Sequence, residues 1–135
     1  MTLYTTSLSF IRGDTLTYTF GNLDLSNFGK AYFTIKKNYK DPDSDAVLMI
    51  DSDSGLYILN GQRISNGGTS ASLVQASSTE LALTVDASKS YQLPTSIDNE
   101  DVFYYDLQVI TTGSVVTTYY LGEVVLSKDV TKRTT

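Results

Sequence analysis

Residues 15–20 read Thr-Leu-Thr-Tyr-Thr-Phe, so the apolar side chains Leu16, Tyr18 and Phe20 fall at every second position. A period of two is the spacing of a β-strand, whose successive side chains leave opposite faces. One face is buried while Thr15, Thr17 and Thr19 meet water. The same beat returns at Ala31, Phe33 and Ile35, at Leu81, Leu83 and Val85, and at Tyr105, Leu107 and Val109. Shorter apolar runs at 46–50, 56–59 and 71–75, and a long one at 115–126, extend the series. Between them stand turn signals: Gly21-Asn22, the stretch 24–29, Asn60-Gly61, Asn66-Gly67-Gly68 and Thr112-Gly113-Ser114. Pro42 among the acids of 41–45 marks a loop, because proline cannot donate to a strand ladder. Only 87–93 has room for a helical turn, ended by Pro94. Ser and Thr supply 34 of the 135 residues, a bias towards strands and turns over helices. About seven to nine short strands, with a turn roughly every 8–12 residues, predict an all-β fold. The expected form is an antiparallel, immunoglobulin-like β-sandwich, a single domain over 1–135 with a short polar tail at about 132–135.

Composition narrows the chemistry. The chain has no His, Cys or Trp. Without imidazole or thiol, the usual general bases, covalent nucleophiles and zinc ligands are missing, so neither an enzyme nor a cofactor protein is expected. Fifteen acidic against ten basic residues give a net charge of −5, unsuited to a phosphate backbone, so nucleic acid is not an expected partner. The basic groupings, Lys36-Lys37 with Lys40 and Lys128 with Lys132-Arg133, read as solvated strand ends. No run approaches the roughly 18–20 apolar residues of a membrane helix, and the first ten residues lack the charged and apolar regions of a signal peptide. Synthesis in a cytoplasm with no membrane partner is the expectation.

Four features invite a function. Arg12-Gly13-Asp14 spells the integrin-binding tripeptide, yet it directly precedes an alternating strand, where Gly13 serves better as a bend. Asp41, Asp43, Asp45, Asp51 and Asp53 suggest calcium. An EF-hand loop starting at Asp41 needs glycine sixth and glutamate twelfth, whereas Ala46 and Ser52 stand there, so no metal site is assigned. Glu80, Glu100, Asp101, Asp106 and Glu123 offer carboxylate pairs for glycoside hydrolysis, as any acidic β-protein does. The ten tyrosines are the fourth feature. Tyr18 and Tyr105 fit a core, but their neighbours cannot all be inside, because adjacent strand residues face opposite ways. Tyr32, Tyr104, Tyr119 and Tyr120 are therefore the candidate protein-contact residues.

Several segments recur in a family pattern: Arg12-Gly13-Asp14, Leu25-Ser26-Asn27, Phe33-Thr34-Ile35-Lys36, Asp41-Pro42-Asp43, the strand 104–108, Thr118 with Gly122, and Asp129-Val130-Thr131. In this order, over most of 10–131, they resemble the N-terminal domain of the upper baseplate proteins of tailed bacteriophages. The resemblance implies a structural protein of the virion, in tail, baseplate or neck, that works by docking to other virion proteins. A homo-oligomeric or symmetric array in the particle is implied too. Baseplate proteins of this kind continue into long receptor-binding or linker regions, so a chain ending here reads as a free-standing module. A capsid-decorating or head-fibre protein is the alternative, and a glycan-binding adhesin module a second one.

Overall fold

The alternating segments assemble into two sheets around one apolar core in the computed structural model, which describes residues 3–64, 70–94 and 100–127. Its strands are β1 (Leu8–Ile11), β2 (Leu16–Phe20), β3 (Phe28–Lys36), β4 (Leu48–Asp51), β5 (Gly55–Leu59), β6 (Gln62–Arg63), β7 (Ala71–Ser77), β8 (Glu80–Val85), β9 (Glu100–Thr111) and β10 (Val116–Ser127). One helical turn, α1 (Ala87–Ser90), links β8 to β9. A seven-stranded sheet runs in the order β1-β10-β9-β3-β4-β5-β6, and a three-stranded sheet in the order β2-β8-β7. The fold is thus all-β and sandwich-like. The turn at Asn66–Gly68, the motif 129–131, the basic cluster Lys128, Lys132 and Arg133 and the tail at 132–135 lie outside the described residues.

Core and surface follow the pleat. In β9, Phe103, Tyr105, Leu107 and Val109 are buried, while Tyr104, Asp106, Gln108 and Ile110 face the other way. At the centre the rings of Phe20, Phe33, Tyr105 and Tyr120 meet at centroid distances of 5.0–6.3 Å. Asn60-Gly61 turns as its composition requires. Both residues have positive φ, 52° and 78°, which matches the right-handed twist of the β5–β6 hairpin.

The pairing departs from the expected antiparallel pattern in one place. β1 runs parallel to β10, from Leu8 opposite Val124 to Ile11 opposite Ser127. The chain passes from β1 straight into β2 of the other sheet, so no hairpin dictates the direction of that pair. Residues 4–7 cross close over β10. Tyr4 bonds the backbone of Tyr119 and Leu121 at 2.8 and 2.9 Å, and the Tyr105 hydroxyl donates to the Thr6 carbonyl at 2.6 Å. A Cβ at position 122 would lie 2.7 Å from that carbonyl oxygen, so Gly122 is what admits the crossing. A second departure lies between β2 and β3. Leu23 and Leu25, within a segment that reads as turn, are buried, and their N–H groups bond the carbonyls of Thr79 and Ser78 at 3.0 and 3.1 Å. With those backbone donors satisfied, the two leucines close one end of the core.

The Arg-Gly-Asp tripeptide forms the corner between β1 and β2. Gly13 is buried with φ 95°, a conformation closed to β-branched residues. Its N–H donates to the Ser90 hydroxyl at 2.9 Å, and that hydroxyl donates to the Asp14 carbonyl at 2.6 Å. Arg12 donates through Nε to the Leu93 carbonyl at 3.0 Å and lies 4.7 Å over the Tyr91 ring. This corner is tied down by α1 and the turn after it, unlike a displayed adhesive loop. Gly13→Val is expected to destabilise the chain by about 1–3 kcal/mol. A Gly13→Val variant within about 0.5 kcal/mol of wild type would overturn this account.

Candidate docking face

β3, β9 and β10 form the middle of the larger sheet, and their outward residues assemble a patch set by register. Thr34 stands opposite Asp106 and Lys36 opposite Tyr104, while Leu121 and Glu123 of β10 stand opposite Asp106 and Tyr104 on the other side. The loop after β3 folds back onto this patch. Tyr39, 53 % exposed, packs its ring on Tyr104 with centroids 4.4 Å apart. Further along the loop, at a 3₁₀ turn over Asp43–Asp45, Asp43 takes the Lys36 ammonium at 2.8 Å. Between loop and sheet lies a pocket of about 40 Å³ whose walls include Thr34, Lys36, Tyr39, Tyr104, Asp106 and Leu121.

Asp106 is the electrostatic focus of that pocket. Burial pushes its carboxyl above the ordinary 3.8; Lys36 acts against the rise and Asp43 adds to it. No hydrogen-bond donor reaches its carboxylate among the described residues. Burial also raises the Tyr39 hydroxyl above its usual range, with Tyr104 and Glu123 contributing, so the phenol remains a proton donor at neutral pH.

A second, more apolar patch adjoins on β4 and β5. Ala46, Met49 and Ile58 are buried on the outer side of the sheet, with Tyr32 and Tyr57 packed against them. Lys30 Nζ lies 5.2 Å from the Tyr32 ring, and the Arg63 guanidinium 5.4 Å from the Tyr57 ring. Burial pushes the Tyr57 hydroxyl up to about 12.

Four of the five acids of the calcium reading are engaged by protein partners. Asp41 accepts the Asn38 N–H at 3.2 Å, and Asp43 holds Lys36. Asp51 is buried and caps the β4–β5 turn through the N–H groups of Asp53 and Ser54. Lys30 Nζ sits 3.8 Å from Asp51 and 3.9 Å from Asp53, where a metal ion would have to enter. Among the described residues no group of three or more Asp and Glu is arranged to hold a cation. Of the carboxylates weighed for glycoside chemistry, Asp106 and Glu123 share the outer face of β9 and β10, whereas Glu80 starts β8 in the other sheet and accepts from the Ser77 hydroxyl at 3.2 Å. Asp101 lies further along β9, opposite Leu126; the Glu100 side chain is outside the described residues.

The four candidate tyrosines separate. Tyr32 and Tyr104 are half-buried on the outer face. Tyr119 is half-buried beside Asp24, its hydroxyl 3.5 Å from that carbonyl. Tyr120 is 5 % exposed and belongs to the core, where it stacks on Tyr4 and donates to the Gly21 carbonyl at 2.9 Å. A bulge decides between the neighbours: Thr118 pairs with outward Gln108 and Tyr120 with inward Leu107, which leaves Tyr119 as the extra residue. Tyr39 carries no sequence signal beyond being an aromatic residue in a polar loop. Its place beside Tyr104 comes from the loop's return across the sheet.

No protein-family model matches the chain, and no curated protein matches it in sequence.

Proposed function

We propose that this chain is a non-enzymatic docking module of a tailed-phage particle, built as an immunoglobulin-like sandwich. Its contact surface is the outer face of the seven-stranded sheet. The observation that carries the docking reading is the tyrosine-lined outer face itself. Tyr32, Tyr39, Tyr57 and Tyr104 sit there beside charged side chains, the composition of a protein-contact patch. The phage context rests on the order of segments shared with upper baseplate proteins.

The strand order supports the finer fold reading. Variable-type immunoglobulin sandwiches add two strands to the G-F-C sheet and set it against a sheet containing B, E and D. β10-β9-β3-β4-β5 against β2-β8-β7 follows that plan. A tail, baseplate or neck position is preferred, with capsid decoration using the same face as the alternative. A sugar-binding role is less suited to this face, because sugar-stacking platforms usually recruit tryptophan, which the sequence lacks.

Tyr39→Ser combined with Tyr104→Ser tests the face. Both rings are at least partly exposed, so the melting temperature should fall by only a few degrees. Incorporation into particles, read by co-purification, should drop sharply. Wild-type incorporation of the double variant would overturn the docking reading; recovery of the wild-type chain with capsid instead of tail proteins would move it to the alternative.

A further inference from the structure

We infer that the pocket between Asp106 and the Tyr39–Tyr104 ring pair accepts the ammonium group of a lysine presented by the docking partner. This inference rests on the docking reading above and names the chemistry of that contact.

The argument begins with charge. The charged groups acting on Asp106 are Lys36 from β3 and Asp43 from its loop; Tyr39 and Tyr104 share its pocket, and Glu123 of β10 stands opposite Tyr104 and acts on Tyr39. Lys36 is committed to Asp43 at 2.8 Å and only partly offsets Asp106, so the pocket keeps a negative charge at Asp106, with Glu123 nearby opposite Tyr104. Asp106 is half-buried and accepts no hydrogen bond among the described residues, and burial disfavours its charge more than Lys36 favours it, so a further cation would stabilise it. A cation entering there gains the carboxylate and lies beside the Tyr39–Tyr104 ring pair that lines the pocket. The whole chain, at net −5, draws a basic surface in the same sense.

Size selects among cations. A pocket of about 40 Å³ suits a compact ammonium on a flexible stem better than a planar guanidinium, which needs a wide fork of acceptors. The exposed Tyr39 ring offers its face to the lysine stem.

The full-length chain can be titrated with n-butylammonium at fixed ionic strength, following the Asp106 carboxyl carbon and the Tyr39 and Tyr104 ring signals by NMR. Saturable shifts of all three are expected, and Asp106→Asn should weaken binding by about tenfold or more. Tyr39→Ala, on an exposed loop, should weaken it severalfold. 1-Butanol should produce none of these shifts, and n-propylguanidinium should bind more weakly. Equal response to butanol, guanidinium binding as tight as ammonium, or indifference to Asp106→Asn would each overturn the inference while leaving the Tyr39/Tyr104 incorporation result to judge docking by itself. Ammonium binding that depends on Asp106, together with normal incorporation of Asp106→Asn into particles, would overturn the partner lysine specifically.

Stability against pH gives an independent reading of the same carboxylate. A carboxyl raised on folding binds its proton more tightly in the native chain than in the unfolded one. It therefore costs stability as pH climbs from 3.8 through the raised value. Asp106→Asn lacks this loss. Its stability relative to wild type should rise across that interval and stay level below it, and a flat difference would overturn the placement of an unsatisfied carboxylate in the pocket.

Discussion

Phe20→Ala is expected to cost about 3–5 kcal/mol, read as a fall in the urea midpoint, and to lower the melting temperature by roughly 10 °C or more. Phe20 is fully buried at the end of β2, the strand that joins the three-stranded sheet to the core of the larger one. Its ring lies 4.8 Å from Tyr18, 5.0 Å from Tyr120 and 5.8 Å from Phe33, so truncation removes contacts on several sides at once. Those neighbours are themselves held by strand pairing, with Tyr18 opposite Leu83 and Phe33 between Ile50 and Leu107, so the site cannot collapse to refill the space. Phe20→Leu should cost clearly less, because most of the volume is kept. An alanine variant within about 1 kcal/mol of wild type would mean that the two sheets do not meet at this ring.

Tyr120→Ala should be comparably severe, about 3–5 kcal/mol, whereas Tyr119→Ala should cost about 1 kcal/mol. The contrast isolates the bulge in β10. Tyr120 stacks on Tyr4, meets Phe20 edge-on and bonds the Gly21 carbonyl, so it ties the N-terminal segment and the β2 end into one cluster. Tyr120→Phe keeps the rings together and removes only the hydroxyl, which should cost about 1 kcal/mol. Phe20→Leu and Tyr120→Leu in a double-mutant cycle should couple by about 0.5–1.5 kcal/mol through their edge-to-face contact. A larger loss for Tyr119→Ala than for Tyr120→Ala would show that the register shift lies elsewhere.

Tyr119 and Tyr120 also show where sequence reasoning stops. Strict alternation says that one of two adjacent strand residues faces the core, but not which. That choice depends on a single extra residue in β10, and a bulge leaves no periodic trace when both neighbours are tyrosine. The parallel β1–β10 pair escaped for a related reason. Leu8–Ile11 is too short to show a long alternation, and its partner is more than 100 residues away. Leu23 and Leu25 look like turn residues because Asp24, Ser26 and Asn27 surround them; only the carbonyls of Ser78 and Thr79, placed alongside by the β7–β8 turn of the sheet that contains β2, let that segment go inside.

What the sequence determined by itself was local and periodic. Leu16-Tyr18-Phe20, Ala31-Phe33-Ile35, Leu81-Leu83-Val85 and Tyr105-Leu107-Val109 each give a strand and its buried face, because the pleat allows only one way to hide such a pattern. Asn60-Gly61 gives its turn, and Gly13 its bend, because few residues tolerate positive φ. What only the tertiary structure decided was which outward side chains become neighbours. Asp106 and Lys36 come from strands some 70 residues apart in sequence, and Tyr39 joins Tyr104 only after its loop returns across the sheet. Side-chain alternation is set by each strand's own backbone, whereas the Asp106 pocket is set by register between strands and by loop closure, which no local pattern encodes.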